Sequence, residues 1–139
     1  MTYADQKLAE EIGARVETFV RDVVAPYERD PRLGEHGPSE ELVVEMRAKA
    51  READVMTPHI LKDGSHLSQR GTAYVLQKTG LSPLGPVACN TGAPDEGNMF
   101  LLGKVATPEQ HERFLKPLVS GKARSAFFMT EPAEDGGAG

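Results

Sequence analysis

The sequence has few of the features that mark a secreted or membrane protein. It has one cysteine, Cys89, in 139 residues, so it cannot form an internal disulfide, and this suits a reducing compartment. Its first residues lack the basic and apolar regions of a signal peptide, and no apolar run reaches the roughly 20 residues that a membrane span needs. These absences favour a cytoplasmic location, and we expect Cys89 to be a small buried apolar side chain.

An excess of positive charge is also missing. The chain has 16 Lys and Arg against 21 Asp and Glu, with a formal net charge of −5. Binding to a nucleic-acid backbone needs clustered basic residues, so we expect no nucleic-acid partner. With 39% hydrophobic residues the chain is too apolar for a disordered protein, and its length fits one domain.

Local motifs for metal binding or catalysis are absent as well. No histidine stands at metal-ligand spacing, and we expect ordinary surface or loop histidines. The four are His36, His59, His66 and His111. The acidic pairs Glu40-Glu41 and Asp95-Glu96 occur where helix starts favour negative charge. We find no nucleophile elbow, phosphate-binding lysine loop or dinucleotide fingerprint, so we assign no metal site and no catalytic residue.

Apolar residues recur at helical spacing through most of the chain and predict a mainly α fold. We expect helices at about residues 4–27, 39–53, 68–78, 87–91, 94–105 and 107–120. Ser39 can cap the second helix. In the last one Thr107 can cap, Pro108 can occupy the first turn, and Gln110 can reach back to complete a capping box. We predict a loop at residues 33–38 and no sheet before residue 120.

Residues 123–130 have a different character. The run Ala-Arg-Ser-Ala-Phe-Phe-Met-Thr has no helical stripe and predicts a β-strand. A glycine-rich tail at residues 136–139 follows and could cradle a phosphate with its amides. A lone strand cannot satisfy its own backbone groups. The strand therefore pairs with another chain, or the rest of its sheet is missing.

The segment Phe127-Phe128-Met129-Thr130-Glu131-Pro132 resembles the signature of the acyl-CoA dehydrogenase family, in which an aromatic strand ends in Thr-Glu-Pro. Residues 107–118 are similar to the helix that leads to this strand, residues 23–29 to the end of the first helix, and residues 92–99 to a subgroup acting on longer acyl chains. The resemblance implies that residues 1–122 form the N-terminal all-α domain of that fold. Residues 123–139 would then be the start of the central β-domain, with its first strand and glycine-rich loop, and this domain would be truncated.

The same resemblance implies an FAD-dependent α,β-dehydrogenation of acyl-CoA thioesters. Phe127, Met129 and Thr130 would bind the cofactor. The Thr130 hydroxyl and amide would meet the pyrimidine edge of the flavin, and Met129 would offer backbone contacts and an apolar wall. The family's carboxylate base lies in the C-terminal helical domain, so no residue of this chain takes that role, and Glu131 is not that base.

The resemblance also implies an acyl-CoA substrate, electron-transfer flavoprotein as electron acceptor, and a homo-oligomer in the complete enzyme. Residues 89–99 resemble the lining of the family's acyl pocket, although ordinary helix packing explains them equally well. Residues 133–135, Ala-Glu-Asp, precede the first glycine where the family has a tighter loop. We expect the chain alone to be inactive. The alternatives are a non-catalytic helical interaction module, or a related flavoenzyme of the acyl-CoA oxidase or nitroalkane oxidase type.

Overall fold

The computed structural model describes residues 2–128, and most of them are helical. The longest helix, α1 (Tyr3–Phe19), continues through a π-helical turn at Val20–Val24 and a 3-10 turn at Ala25–Arg29. The others are α2 (Glu40–Glu52), α3 (Gln69–Thr79), α4 (Gly85–Ala88), α5 (Asp95–Val105), α6 (Pro108–Gln110) and α7 (Lys116–Val119), with a π-helical turn at His111–Leu115 joining the last two. The predicted mainly α fold is confirmed. Within residues 2–128, no helix combines the length and the apolar character needed to cross a membrane.

Side-chain caps define where the helices begin. Ser39 accepts a hydrogen bond from the backbone N–H of Leu42 at 3.3 Å, as predicted for the start of α2. At α6 the capping box is complete: Thr107 Oγ1 accepts from the Gln110 N–H at 3.3 Å, and Gln110 Oε1 accepts from the Thr107 N–H at 2.8 Å. Gly121 follows α7 at φ 70°, a conformation that glycine adopts without strain.

The core lies between α1, α2, α3 and α4, because α1 packs along α3 and α2 packs against α4. Its buried apolar side chains include Ile12, Val16, Val20, Val24, Leu42, Met46, Val75 and Leu84. Gly13 permits the close approach of α1 to α3, since a Cβ at this position would lie 2.6 Å from Cε1 of Tyr74. The long apolar stripe of α1 therefore positions the other helices.

The structure differs from our predictions in residues 33–38, where we expected a loop and no sheet. Leu33–Gly34 (β1) and Gly37–Pro38 (β2) form an antiparallel hairpin, with Leu33 opposite Pro38. Gly37 has φ 109°, which lets the chain turn back on itself within two residues. Strands of two residues carry no readable alternation, so the periodicity analysis could not find them. The fourth helix is also shorter and earlier than the predicted 87–91, because Pro86 occupies its first turn.

The strand predicted at residues 123–130 does not form in the part that the structure describes. Residues 124–128 have no regular secondary structure, and Met129 and Thr130 lie outside the described residues. A strand needs a neighbour to take up its backbone hydrogen bonds, and residues 2–128 supply none to this segment. The domain boundary after residue 122 remains a prediction.

Candidate functional site

The segment that follows α7 is fixed to the first turn of α5 through Ser125. Asp95 Oδ1 accepts hydrogen bonds from the Ser125 N–H at 2.7 Å and from the Ser125 hydroxyl at 2.6 Å. Asn98 Nδ2 donates to the same hydroxyl at 2.8 Å. Asp95 is only 9% exposed, so this carboxylate uses buried hydrogen bonds to hold the chain two residues before Phe127.

Two arginines of α2 hold the turn between α7 and this segment. Arg47 is buried, and its guanidinium lies 3.4 Å from the Gly121 carbonyl. Arg51 donates to the Ser120 carbonyl at 2.9 Å. Burial removes water from the Arg47 guanidinium and lowers its pKa. The carbonyls that follow α7 thus accept hydrogen bonds from cationic side chains, and positive charge is favourable at a helix C-terminus.

An apolar groove of about 310 Å³ lies between α5 and the helix formed by α6, its π-helical turn and α7. Its lining includes Asn98, Leu101, Leu102, Phe114, Leu118 and Ser125. Leu101 is 55% exposed and Phe114 is 47% exposed, so large apolar surfaces of this groove face solvent. The groove ends at the anchored Ser125 and can accept an aliphatic chain.

The predicted cofactor-binding residues are only partly within the described chain. Phe127 is 57% exposed, and its neighbour Phe128 is 97% exposed. Such side chains are available to cover an apolar ring, and the role of Phe127 against a flavin stays a prediction. Met129 and Thr130 lie outside the described residues, so their assignments stay predictions.

Residues 89–99 include both buried packing residues and a residue of the groove. Cys89 and Met99 are fully buried, and burial raises the pKa of the Cys89 thiol to about 12. The prediction of a small buried apolar residue at Cys89 is confirmed. Asn98 does line the groove. Sequence reasoning missed the role of Asp95, because an acid in a first helical turn gives no sign that it also anchors a distant serine.

His59 is not an ordinary surface histidine. It is fully buried, neither of its ring nitrogens has a hydrogen-bond partner in the described chain, and its ring centroid lies 5.6 Å from that of His66. Burial is the main cause that lowers the pKa of His59 to about 4. Within residues 2–128, no group of three or more His, Cys, Asp or Glu residues could hold a metal ion.

Together these features define a helical domain that carries an apolar groove and an anchored aromatic segment at one end. No protein-family model matches the chain. It is 32% identical over 137 residues to acyl-CoA dehydrogenase family member 11 of Gallus gallus, covering 94% of this chain and 18% of that protein. It is 38% identical over 93 residues to FadE2 of Mycobacterium tuberculosis, described as an acyl-CoA dehydrogenase, covering 66% of this chain and 23% of that protein.

A solved structure is similar to this chain as well. A protein from Mycobacterium abscessus, described as an acyl-CoA dehydrogenase, superposes with a TM-score of 0.69 at 35% identity, covering 89% of this chain and 34% of that one. The chain belongs to the acyl-CoA dehydrogenase family. It spans 18% of the length of the first of the curated relatives above.

Proposed function

We propose that this chain is the N-terminal portion of an FAD-dependent acyl-CoA dehydrogenase that introduces an α,β double bond into acyl-CoA thioesters. The observation that carries the proposal is the anchoring of Ser125 by Asp95 and Asn98. It brings the segment that enters the family signature to the end of an apolar groove. A cofactor at the signature and an acyl chain in the groove would then be neighbours.

Phe127, Met129 and Thr130 would hold FAD. The exposed aromatic ring of Phe127 supports this assignment, since it can cover a flat apolar group. FAD, when bound, accepts the hydride that leaves the β-carbon of the acyl group. Thr130 would donate a hydrogen bond to the edge of the ring that gains negative charge, and this favours reduction of the cofactor.

The groove would take the acyl chain. Leu101, Leu102 and Phe114 offer the apolar lining that such a chain needs. We assign the proton-abstracting carboxylate to a part of the protein outside this sequence, so the chain alone would be inactive. Electron-transfer flavoprotein as acceptor and a homo-oligomeric complete enzyme are further parts of the proposal.

The second candidate is a non-catalytic helical interaction module. The nearly complete exposure of Phe128, on a segment without a strand partner in residues 2–128, favours a protein partner at this end. The absorbance spectrum of the purified chain after incubation with FAD tests this candidate. Retained flavin would argue against a module, whereas a chain without flavin would fit either a module or an enzyme fragment. An acyl-CoA oxidase-like enzyme would instead retain flavin and pass electrons to oxygen rather than to a dye.

A chimera tests the enzyme proposal. Residues 1–139 replace the matching segment of the Mycobacterium abscessus protein, which supplies the remaining two thirds of the fold. We expect retained flavin and dye reduction with acyl-CoA. Thr130→Val should weaken flavin binding about 5- to 150-fold, the equivalent of one lost hydrogen bond of about 1–3 kcal/mol to a buried polar edge.

Thr130→Ser is the matched control, since it keeps the hydroxyl and should bind flavin almost as the parent does. A folded chimera that retains no flavin would count against the proposed cofactor. Equal flavin affinity in the valine and serine variants would remove Thr130 from the site.

A further inference from the structure

A second cavity in the described part of the chain lies outside the groove assigned to the acyl group. It has a volume of about 650 Å³ and is bounded by residues 60–66, by α5 and by the helix of residues 108–120. Phe100, Gly103 and Lys104 face it, whereas Asn98, Leu101 and Leu102 face the groove. At 100° per residue these two sets lie on opposite sides of α5. The cavity is therefore separate from the proposed active site.

Aromatic rings form one wall of this cavity. His66 meets Phe100 edge to face, with ring centroids 6.0 Å apart and an angle of 89° between the planes. The ring of His59 packs against the ring of His66, with their centroids 5.6 Å apart. His66 Nε2 has no hydrogen-bond partner in the described chain, and a Cβ at Gly103 would lie 3.6 Å from it. Burial lowers the pKa of both histidines, so at neutral pH this wall is uncharged and suits a flat apolar group.

Charges of both signs line this cavity: Lys62, Lys104 and Lys116 occur with Asp63 and Glu112. Lys104 Nζ lies 5.5 Å from the centroid of the Phe100 ring. Two other lysines at the cavity have acidic partners: Lys62 lies 3.5 Å from Asp54, and Lys116 pairs with Glu112. For Lys104, no carboxylate of residues 2–128 lies within salt-bridge distance. The Lys104 ammonium beside the aromatic wall is therefore available to an anionic ligand, although the chain as a whole has a net charge of −5.

We propose that this cavity is a binding site for an aromatic carboxylate, with the ring against Phe100 and His66 and the carboxylate at Lys104. A volume of about 650 Å³ lies within the range of small-molecule sites, about 300–1,000 Å³. The cavity wall combines apolar side chains such as Ile60, Phe100 and Leu115 with polar groups such as Lys104. A pocket of this mixed kind that holds a histidine with a shifted pKa is a candidate binding site. The proposal does not depend on the acyl-CoA dehydrogenase activity.

The test is a titration of the 139-residue chain with 2-naphthoate, followed by amide shifts in 1H–15N NMR spectra. The neutral analogue 2-naphthylmethanol has the same ring without the charge. We expect saturable shifts at Ser65, Gly103 and Ser120. The alcohol should bind about two- to fivefold more weakly, since an exposed charge pair contributes up to about 1 kcal/mol.

Variants locate the site. Lys104→Gln should weaken naphthoate binding about two- to fivefold, and it changes an exposed side chain. Phe100→Ala should weaken both ligands, because it removes the ring wall. Leu101→Ala, on the opposite side of α5, is the control and should leave the affinity unchanged. Shifts confined to Leu101, Phe114 and Ser125, equal binding of acid and alcohol, or an unaffected Lys104→Gln variant would each overturn the proposal.

Discussion

The buried His59 should make the stability of this domain depend on pH. Its pKa is about 4 in the folded chain, against an ordinary value of 6.5 for histidine, because burial disfavours the charged ring. Between these two values the unfolded chain binds a proton that the folded chain does not. The domain should therefore be most stable above pH 6.5 and lose stability as the pH falls toward 4.

The size of the effect follows from the two pKa values. Summing the linkage from pH 7 to pH 5 gives a loss of about 2 kcal/mol in the free energy of unfolding, and about 3 kcal/mol once the pH is below 4. The lowered pKa of His66 has the same sign and adds to the loss. Carboxylates with lowered pKa values, such as Glu45, act mainly below about pH 5, so the range from pH 7 to 5 isolates the histidines.

The assay is urea denaturation of the chain followed by circular dichroism at 222 nm, at pH 7, 6, 5.5 and 5. Between pH 7 and pH 5 we expect the His59→Leu variant to lose about 2 kcal/mol less of its free energy of unfolding than the parent loses. At pH 7 it should cost little, because it also removes two buried nitrogens that have no partner in the described chain. His36→Gln changes an exposed histidine and is the control. An equal slope in parent and His59→Leu would refute the reasoning.

Three further changes test the local structure by the same urea method. Gly85→Ala should lower the free energy of unfolding by about 1–3 kcal/mol or more, since its Cβ would lie 1.9 Å from the Thr79 carbonyl oxygen. Gly92→Ala, whose Cβ would meet no atom beyond its neighbours in the chain closer than 3.9 Å, should be tolerated. Equal losses in the two variants would contradict the clash at Gly85. Asp95→Ala should cost about 1–3 kcal/mol by leaving Ser125 without its acceptor, and an unchanged midpoint would show that the anchor contributes nothing. Thr107→Ala should lower the free energy of unfolding by about 1 kcal/mol, because it breaks the reciprocal capping box of α6. Thr2→Ala removes a single N-cap hydrogen bond of α1 and should cost less.

Sequence reasoning succeeded where structure is specified locally. The apolar stripes and the caps at Ser39 and Thr107 use residues no more than four apart, and the structure places these helices close to the predicted bounds. It failed where a property depends on distant contacts. Nothing near His59 in the sequence indicates burial, yet the fold leaves its side chain fully buried. The Asp95 to Ser125 anchor spans 30 residues and has no local signature.

The segment after Arg124 shows the physical limit of prediction from a short chain. A helix closes its hydrogen bonds within its own residues, so α1 to α7 can form in this sequence by themselves. A strand closes them only with a neighbour, so β propensity at residues 123–128 is necessary for a strand and not sufficient. The exposed Phe127 and Phe128 and the bare groove at Leu101 lie at the same end of the domain. One further sheet packed against that end would cover both aromatic side chains, complete the strand and close the groove. The ground on which we propose that sheet is the family resemblance, rather than the propensity of these residues.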